Sequence, residues 1–135
     1  MPLLTWSDSL SVNVPDLDAQ HQRLIGQINQ LHDAMTKGRG QSVLRPLLAN
    51  VVQYTLLHFG VEEKYMQQIK FPLYNEHRAE HAKLGKTVQD LKQRYEAGQT
   101  MLTLEVMSFL SDWLTNHIKG SDQKYAPRSA PTAAR

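Results

Sequence analysis

Three short breaks cut this sequence into four stretches of one period. Gly38-Arg39-Gly40, Phe71-Pro72 and Ala97-Gly98-Gln99 supply the glycines and the proline that stop helices. Between them apolar residues recur at spacings of three and four, the pattern of one buried helix face. The first stretch, about 17 to 35, carries Leu17, His21, Leu24, Ile25, Ile28, Leu31 and Met35, with Asp16 and Asp18 as candidate N-caps. The second, about 41 to 66, carries Leu44, Leu47, Leu48, Val51, Thr55, His58, Phe59, Glu62 and Met66. Pro46 falls in its first turns, where a missing N–H is tolerated. The third, about 73 to 96, reads His77, His81, Leu84, Val88, Leu91 and Tyr95. The fourth, about 101 to 119, reads Thr103, Val106, Met107, Leu110, Trp113, Leu114, His117 and Ile118, and Gly120 closes it.

Four such helices with short connections predict an all-α chain folded as an antiparallel up-down-up-down four-helix bundle. The longest alternating pattern, Leu10 to Val14, is expected in an extended N-terminal arm. Residues 1–125 are read as the bundle domain. Residues 126–135 hold only Ala, Pro, Ser, Thr and Arg and are read as a disordered tail.

Composition narrows the chemistry. The 15 basic residues are scattered among 13 acidic ones for a net charge of +2, without the clustered basic footprint of a nucleic-acid binder. No apolar run is long enough to span a membrane and no signal peptide opens the chain, so membrane insertion is not expected and a cytoplasmic location is. There is no cysteine, which excludes thiol catalysis, thiolate metal sites and covalent c-type haem. Six histidines remain, so metal chemistry here must run on imidazole and carboxylate.

Five of the six fall at one level. In an antiparallel hairpin, residues equidistant from the turn share a height. His21 and His58 are centred on Gly38-Arg39-Gly40, Glu62 and His77 just before Phe71-Pro72, and His81 and His117 on Gly98-Gln99. His58 with Glu62, and His77 with His81, are also four apart, about 6 Å along one helix face. Asp122 lies five residues past His117, so it reaches the layer only through a π-bulge or an unwound last turn, which Gly120 makes easy. A single histidine on an apolar face is ordinarily a hydrogen-bonded core residue, and His32, about three turns away, is read so. Five imidazoles and a carboxylate at one level are costly to bury without a cation. With Asp122 they make seven ligands, too many for one tetrahedral or octahedral ion. Two metals bridged by carboxylates fit, with iron favoured and copper, zinc or manganese admitted. Each imidazole is expected to find an outer hydrogen-bond acceptor.

Asp18-x-x-His21, His58-x-x-x-Glu62, His77-x-x-x-His81 and His117-x-x-x-x-Asp122, in this order, resemble the hemerythrin family, its single-domain bacterial form in particular. The resemblance runs from Trp6 to about Tyr125. It implies a non-haem di-iron site that binds O2 reversibly. His77, His81 and His117 would hold one iron and His21 and His58 the other. Glu62 and Asp122 would bridge both, together with an oxo or hydroxo ion. The two-histidine iron would keep the open position for O2, beside the family's apolar pocket positions Phe59, Trp113, Leu114 and Ile118. Such a site keeps one formal charge with and without O2, because electrons and proton are exchanged inside it. An apolar pocket without proton donors would slow loss of reduced oxygen species.

The resemblance implies O2 carriage, storage or local delivery by a non-enzyme, expected as a monomer, with O2 as ligand and an oxygen-consuming protein as candidate partner. Sensing of O2, NO or redox state through the same site is the alternative. A di-iron oxidase or ferroxidase is the weaker rival, since such bundles use Glu-x-x-His motifs and this sequence has none. No His-Glu-x-x-His motif of a metalloprotease occurs either.

Overall fold

The computed structural model describes residues 4–99 and 103–125. Four α-helices form: α1 (Pro15–Thr36), α2 (Gln41–Gln68), α3 (Tyr74–Glu96) and α4 (Leu104–Asn116). No strand occurs among the described residues. Helix α2 packs between α1 and α3, and α4 packs against α1. The expected four-helix bundle is therefore the observed fold. No helix among the described residues is long and apolar enough to cross a membrane. The expected tail, 126–135, and positions 101 and 102 of the fourth predicted helix lie outside the described residues.

The helix ends show why the breaks break. Gly38 and Gly98 adopt left-handed φ of 72° and 75°. In each case the next amide reaches five residues back, Arg39 to the Ala34 carbonyl and Gln99 to that of Arg94. Helix α2 ends the same way without glycine: Lys70 takes φ 54° and the Phe71 amide bonds the Met66 carbonyl at 2.9 Å.

The helix starts differ from expectation. Neither Asp16 nor Asp18 caps α1; Pro15 opens it at the first helical position and Val14 precedes it without a side-chain cap. Asp18 instead accepts the Val12 amide (2.8 Å) and the Ser11 hydroxyl (2.5 Å), tying down the N-terminal arm. The arm is not uniformly extended. Asp8–Leu10 make a 3-10 turn and Asn13 is left-handed at φ 57°. Its start is clipped to α1 by Asn29, which accepts the Leu4 amide (2.9 Å) and donates to the Leu4 carbonyl (2.6 Å). Thr103, expected on the buried stripe of α4, is its N-cap and accepts the Val106 amide.

Past Asn116 the chain continues as a π-turn, His117–Ser121, and then a 3-10 turn, Asp122–Tyr125. The Asp122 amide bonds the His117 carbonyl, five residues back. Of the two routes for Asp122 into the layer, the π-turn is the one taken. Gly120 does not unwind the chain and is not left-handed.

Buried apolar residues form two groups. A large body of helix-stripe residues includes Leu24, Ile28, Leu31, Leu48, Val51 and Leu110. A small floor consists of Val12, Leu17, Met66 and Tyr125, with Tyr65, Phe71, Val14 and Tyr74 packed against it. The floor draws on the arm, the ends of α1 and α2, and the C-terminal 3-10 turn. His21, Glu62 and Asp122 lie on those same elements.

Candidate metal centre

The first turns of α1 and α3 and the last turns of α2 and α4 bury polar side chains. His21, Glu62 and Asp122 have no exposed surface, and His58, His77, His81 and His117 are 4% exposed or less. His32 is only half-buried and stands apart from this group.

The seven side chains converge with a division of labour. Glu62 Oε2 lies 3.2 Å from His21 Nε2 and 3.3 Å from His58 Nε2. Its other oxygen, Oε1, lies 3.1 Å from His81 Nε2 and 3.8 Å from His117 Nε2. Asp122 is split the same way, with Oδ2 2.9 Å from His21 Nε2, and Oδ1 2.9 Å from His77 Nε2 and 3.1 Å from His117 Nε2. Two overlapping sets of ligand atoms result, each within 4.8 Å: His21, His58, Glu62 and Asp122, and His77, His81, His117, Glu62 and Asp122. They share both carboxylates.

The donor set fits cations. His58 Nε2, His77 Nε2, Glu62 Oε1 and both Asp122 oxygens are buried without a hydrogen-bond partner. His77 Nε2 and Asp122 Oδ1 are close but not aligned as donor and acceptor, as atoms are when they converge on a common ion. His81 Nε2 and His117 Nε2 face each other at 3.1 Å. A buried polar atom left unsatisfied costs about 1–3 kcal/mol, so this many in one layer call for positive charge among them.

Without metal, protons supply part of that charge. Burial works against the His21 imidazolium, but the neighbouring carboxylates of Asp122 and Glu62 outweigh it and raise its pKa to about 9. His117 is pushed up to about 12 against burial, by Asp122 first and then Glu62 and Glu80. Burial opposes ionisation of Glu62, yet His58, His117 and His21 hold it well below the usual carboxylate range. Asp122 is lowered too: burial and the Glu62 charge oppose this, and His117 and His21 overcome them.

The backs of the imidazoles are held by residues that sequence reading did not single out. His58 Nδ1 pairs with Gln20 Oε1 (2.6 Å), His81 Nδ1 with Glu63 Oε2 (3.0 Å) and His117 Nδ1 with Glu80 Oε1 (2.6 Å). Carboxylates only accept, so Nδ1 of His81 and of His117 carries a proton, and Nε2 is the nitrogen turned to the layer. Ser121 Oγ lies within hydrogen-bond distance of both Glu80 oxygens, at 2.7 and 2.8 Å. The His117 bond, against burial and with help from Ser121, brings the Glu80 pKa down to about 2. His21 departs from expectation: its Nδ1 is buried with no partner. The signal for these residues was adjacency. Gln20, Glu63 and Glu80 each flank a ligand in sequence, and each serves a ligand on a neighbouring helix.

Tyr125 is the other residue missed. Its hydroxyl donates to Glu62 Oε2 at 2.6 Å, and its ring packs on Tyr65, Phe71 and His77. Burial and the charges of Glu62 and Asp122 push its pKa up, so it stays a donor.

Phe59, Trp113, Leu114 and Ile118 are all buried in the body. Phe59 stacks on His81 with centroids 3.9 Å apart and planes 7° from parallel. Trp113 stacks on His117 and tilts against Phe59, on the three-histidine side. The Trp113 indole N–H, a hydrogen-bond donor but not an acid, is buried without an acceptor among the described residues.

Comparison with known proteins agrees with this geometry. Residues 12–129 match the family described as the hemerythrin HHE cation binding domain. The chain is 36% identical over 126 residues to a bacteriohemerythrin of Stenotrophomonas maltophilia, covering 93% of this chain and 81% of that one. It is 34% identical over 128 residues to the bacteriohemerythrin of Methylococcus capsulatus, covering 94% and 97%. The crystal structure of wild-type hemerythrin superposes with a TM-score of 0.88 at 33% identity, covering 93% of this chain and 96% of that one.

Proposed function

This chain belongs to the hemerythrin family, and on that premise we propose that it binds O2 reversibly at two iron ions held in the polar layer. His77, His81 and His117 would hold one ion and His21 and His58 the other, with Glu62 and Asp122 shared between the two sets. When bound, the iron pair supplies the electrons with which O2 is taken up and receives them back on release. The observation that carries this reading is the split of both carboxylates between the two histidine groups.

The residues around the layer suit binding without onward chemistry. Four residues would serve one ion and five the other, so the two-histidine side would have the room for an outside ligand. Phe59, Leu114 and Ile118 exclude water from the body side of the layer. The Tyr125 proton is committed to Glu62 Oε2. An imidazole-rich layer with two carboxylates also gives less support to high-valent iron than carboxylate-rich sites do, which favours binding over oxidation. Carriage, storage or local delivery of O2 is the proposed role, by a cytoplasmic monomer supplying an oxygen-consuming protein.

Metal analysis and optical spectra on one sample test the reading. About two irons per chain are expected, with a visible colour that appears under air after anaerobic reduction and fades when O2 is removed. One zinc per chain, or no colour change under air, overturns it.

A further inference from the structure

The hydrogen bonds behind the ligands differ between the two halves of the layer, and they differ in charge. On the three-histidine side two imidazoles lean on carboxylates. His81 Nδ1–H donates to Glu63 and His117 Nδ1–H to Glu80. Ser121 holds Glu80 in place by contacts to both its oxygens. An anionic acceptor draws the N–H proton toward itself and leaves the opposite nitrogen, Nε2, a stronger donor.

On the two-histidine side nothing comparable exists among the described residues. His58 Nδ1 meets the neutral amide oxygen of Gln20. His21 Nδ1 has no partner at all. The one strong outer bond on this side acts in the opposite sense. Tyr125 donates to Glu62 Oε2, the oxygen 3.2 and 3.3 Å from His21 and His58, and so withdraws charge from it. Glu62 Oε1, facing His81 and His117, has no such donor.

We propose that the two halves of the layer hold metal unequally: the three-histidine half is tight, the two-histidine half is labile, and Glu80 and Tyr125 set the difference as positioning residues. Glu63 acts with Glu80, from the neighbouring helix. Metal is then gained first and lost last at His77, His81 and His117. The inference rests on the two-ion reading above and adds an order to it.

Chelator competition on the loaded, reduced protein tests the order. With 2,2′-bipyridine in excess, iron release is expected in two phases of equal amplitude, one ion each. Glu80→Gln keeps the size and an acceptor oxygen but removes the charge. It should speed the slow phase about tenfold, the lower end of what outer-ligand changes cost in metal affinity, and leave the fast phase in place. Tyr125→Phe should slow the fast phase and leave the slow one. A merely structural role for either residue would move both phases together. As a second measurement, cobalt(II) titrated into the metal-free protein should give a first equivalent whose affinity falls in Glu80→Gln and a second whose affinity rises in Tyr125→Phe. Iron well short of two per chain in the starting sample would sink the two-ion reading itself. Two irons leaving in a single phase, or both phases accelerated equally by Glu80→Gln, would overturn the unequal halves and leave that reading standing.

Discussion

The polar layer lies between two apolar regions that were assembled in different ways. The body comes from four helix stripes, each written locally at spacings of three and four. The floor comes from Val12 in the arm, Leu17 and Met66 near helix ends, and Tyr125 in a 3-10 turn, positions that share no period. The body makes a bundle whatever the layer contains. The floor has a second task, since Tyr125 bonds a proposed bridging carboxylate and Val12 is tied to Asp18 through its amide. Damage to the body should therefore cost stability alone. Damage to the apolar packing of the floor should cost stability and retention of metal together, whereas loss of the Tyr125 hydroxyl alone should tighten the two-histidine half.

The largest effect is expected in the layer that divides the two. Glu62→Ala removes the carboxylate facing four histidines and should drop iron well below two per chain by metal analysis; full retention would refute the bridge. Next come paired truncations, Ile28→Ala in the body and Met66→Ala in the floor, both fully buried. Each should cost about 2–5 kcal/mol in chemical denaturation of the metal-free protein. Only Met66→Ala should also speed chelator release of iron, and equal release from the two variants would break the comparison. Asp18→Ala frees the arm from two hydrogen bonds and should cost about 2 kcal/mol, with a smaller rise in iron release. The smallest change is Lys70→Gly. It relieves a left-handed backbone costing about 1–2 kcal/mol, offset by the greater chain entropy of glycine. A gain of at most about 1 kcal/mol in thermal or chemical melts is expected, with no effect on metal.

The same division explains what could be read in advance. Helices, breaks and six of the seven layer residues were legible because period and turn symmetry are local properties of the chain. Asp122 was legible only as one of two routes, since its position depends on hydrogen bonding past Asn116 rather than on residue type. Asp18 and Thr103 were misassigned because one polar side chain can cap a helix, tie an arm or sit on a stripe, and Pro15 already sufficed to start α1. Gln20, Glu63 and Glu80 were hidden by rotation. A residue next to a ligand is turned about 100° around its helix, and which neighbour it meets is decided by the packing of the bundle.

The π-turn at His117–Ser121 makes part of this chain sensitive to counting rather than to chemistry. Deleting one residue between His117 and Asp122 would bring Asp122 to the i+4 position of an ordinary α-helix, still on the His117 face. Inserting one would put Asp122 six residues on, about 120° around the helix from His117 in α register. Asp122 and Tyr125 would then be displaced together, so that a ligand and the donor to its fellow carboxylate would leave in one event. Substitutions along Lys119 and Gly120, both exposed, should by contrast be tolerated. In this segment the number of residues is a stricter requirement than their identity.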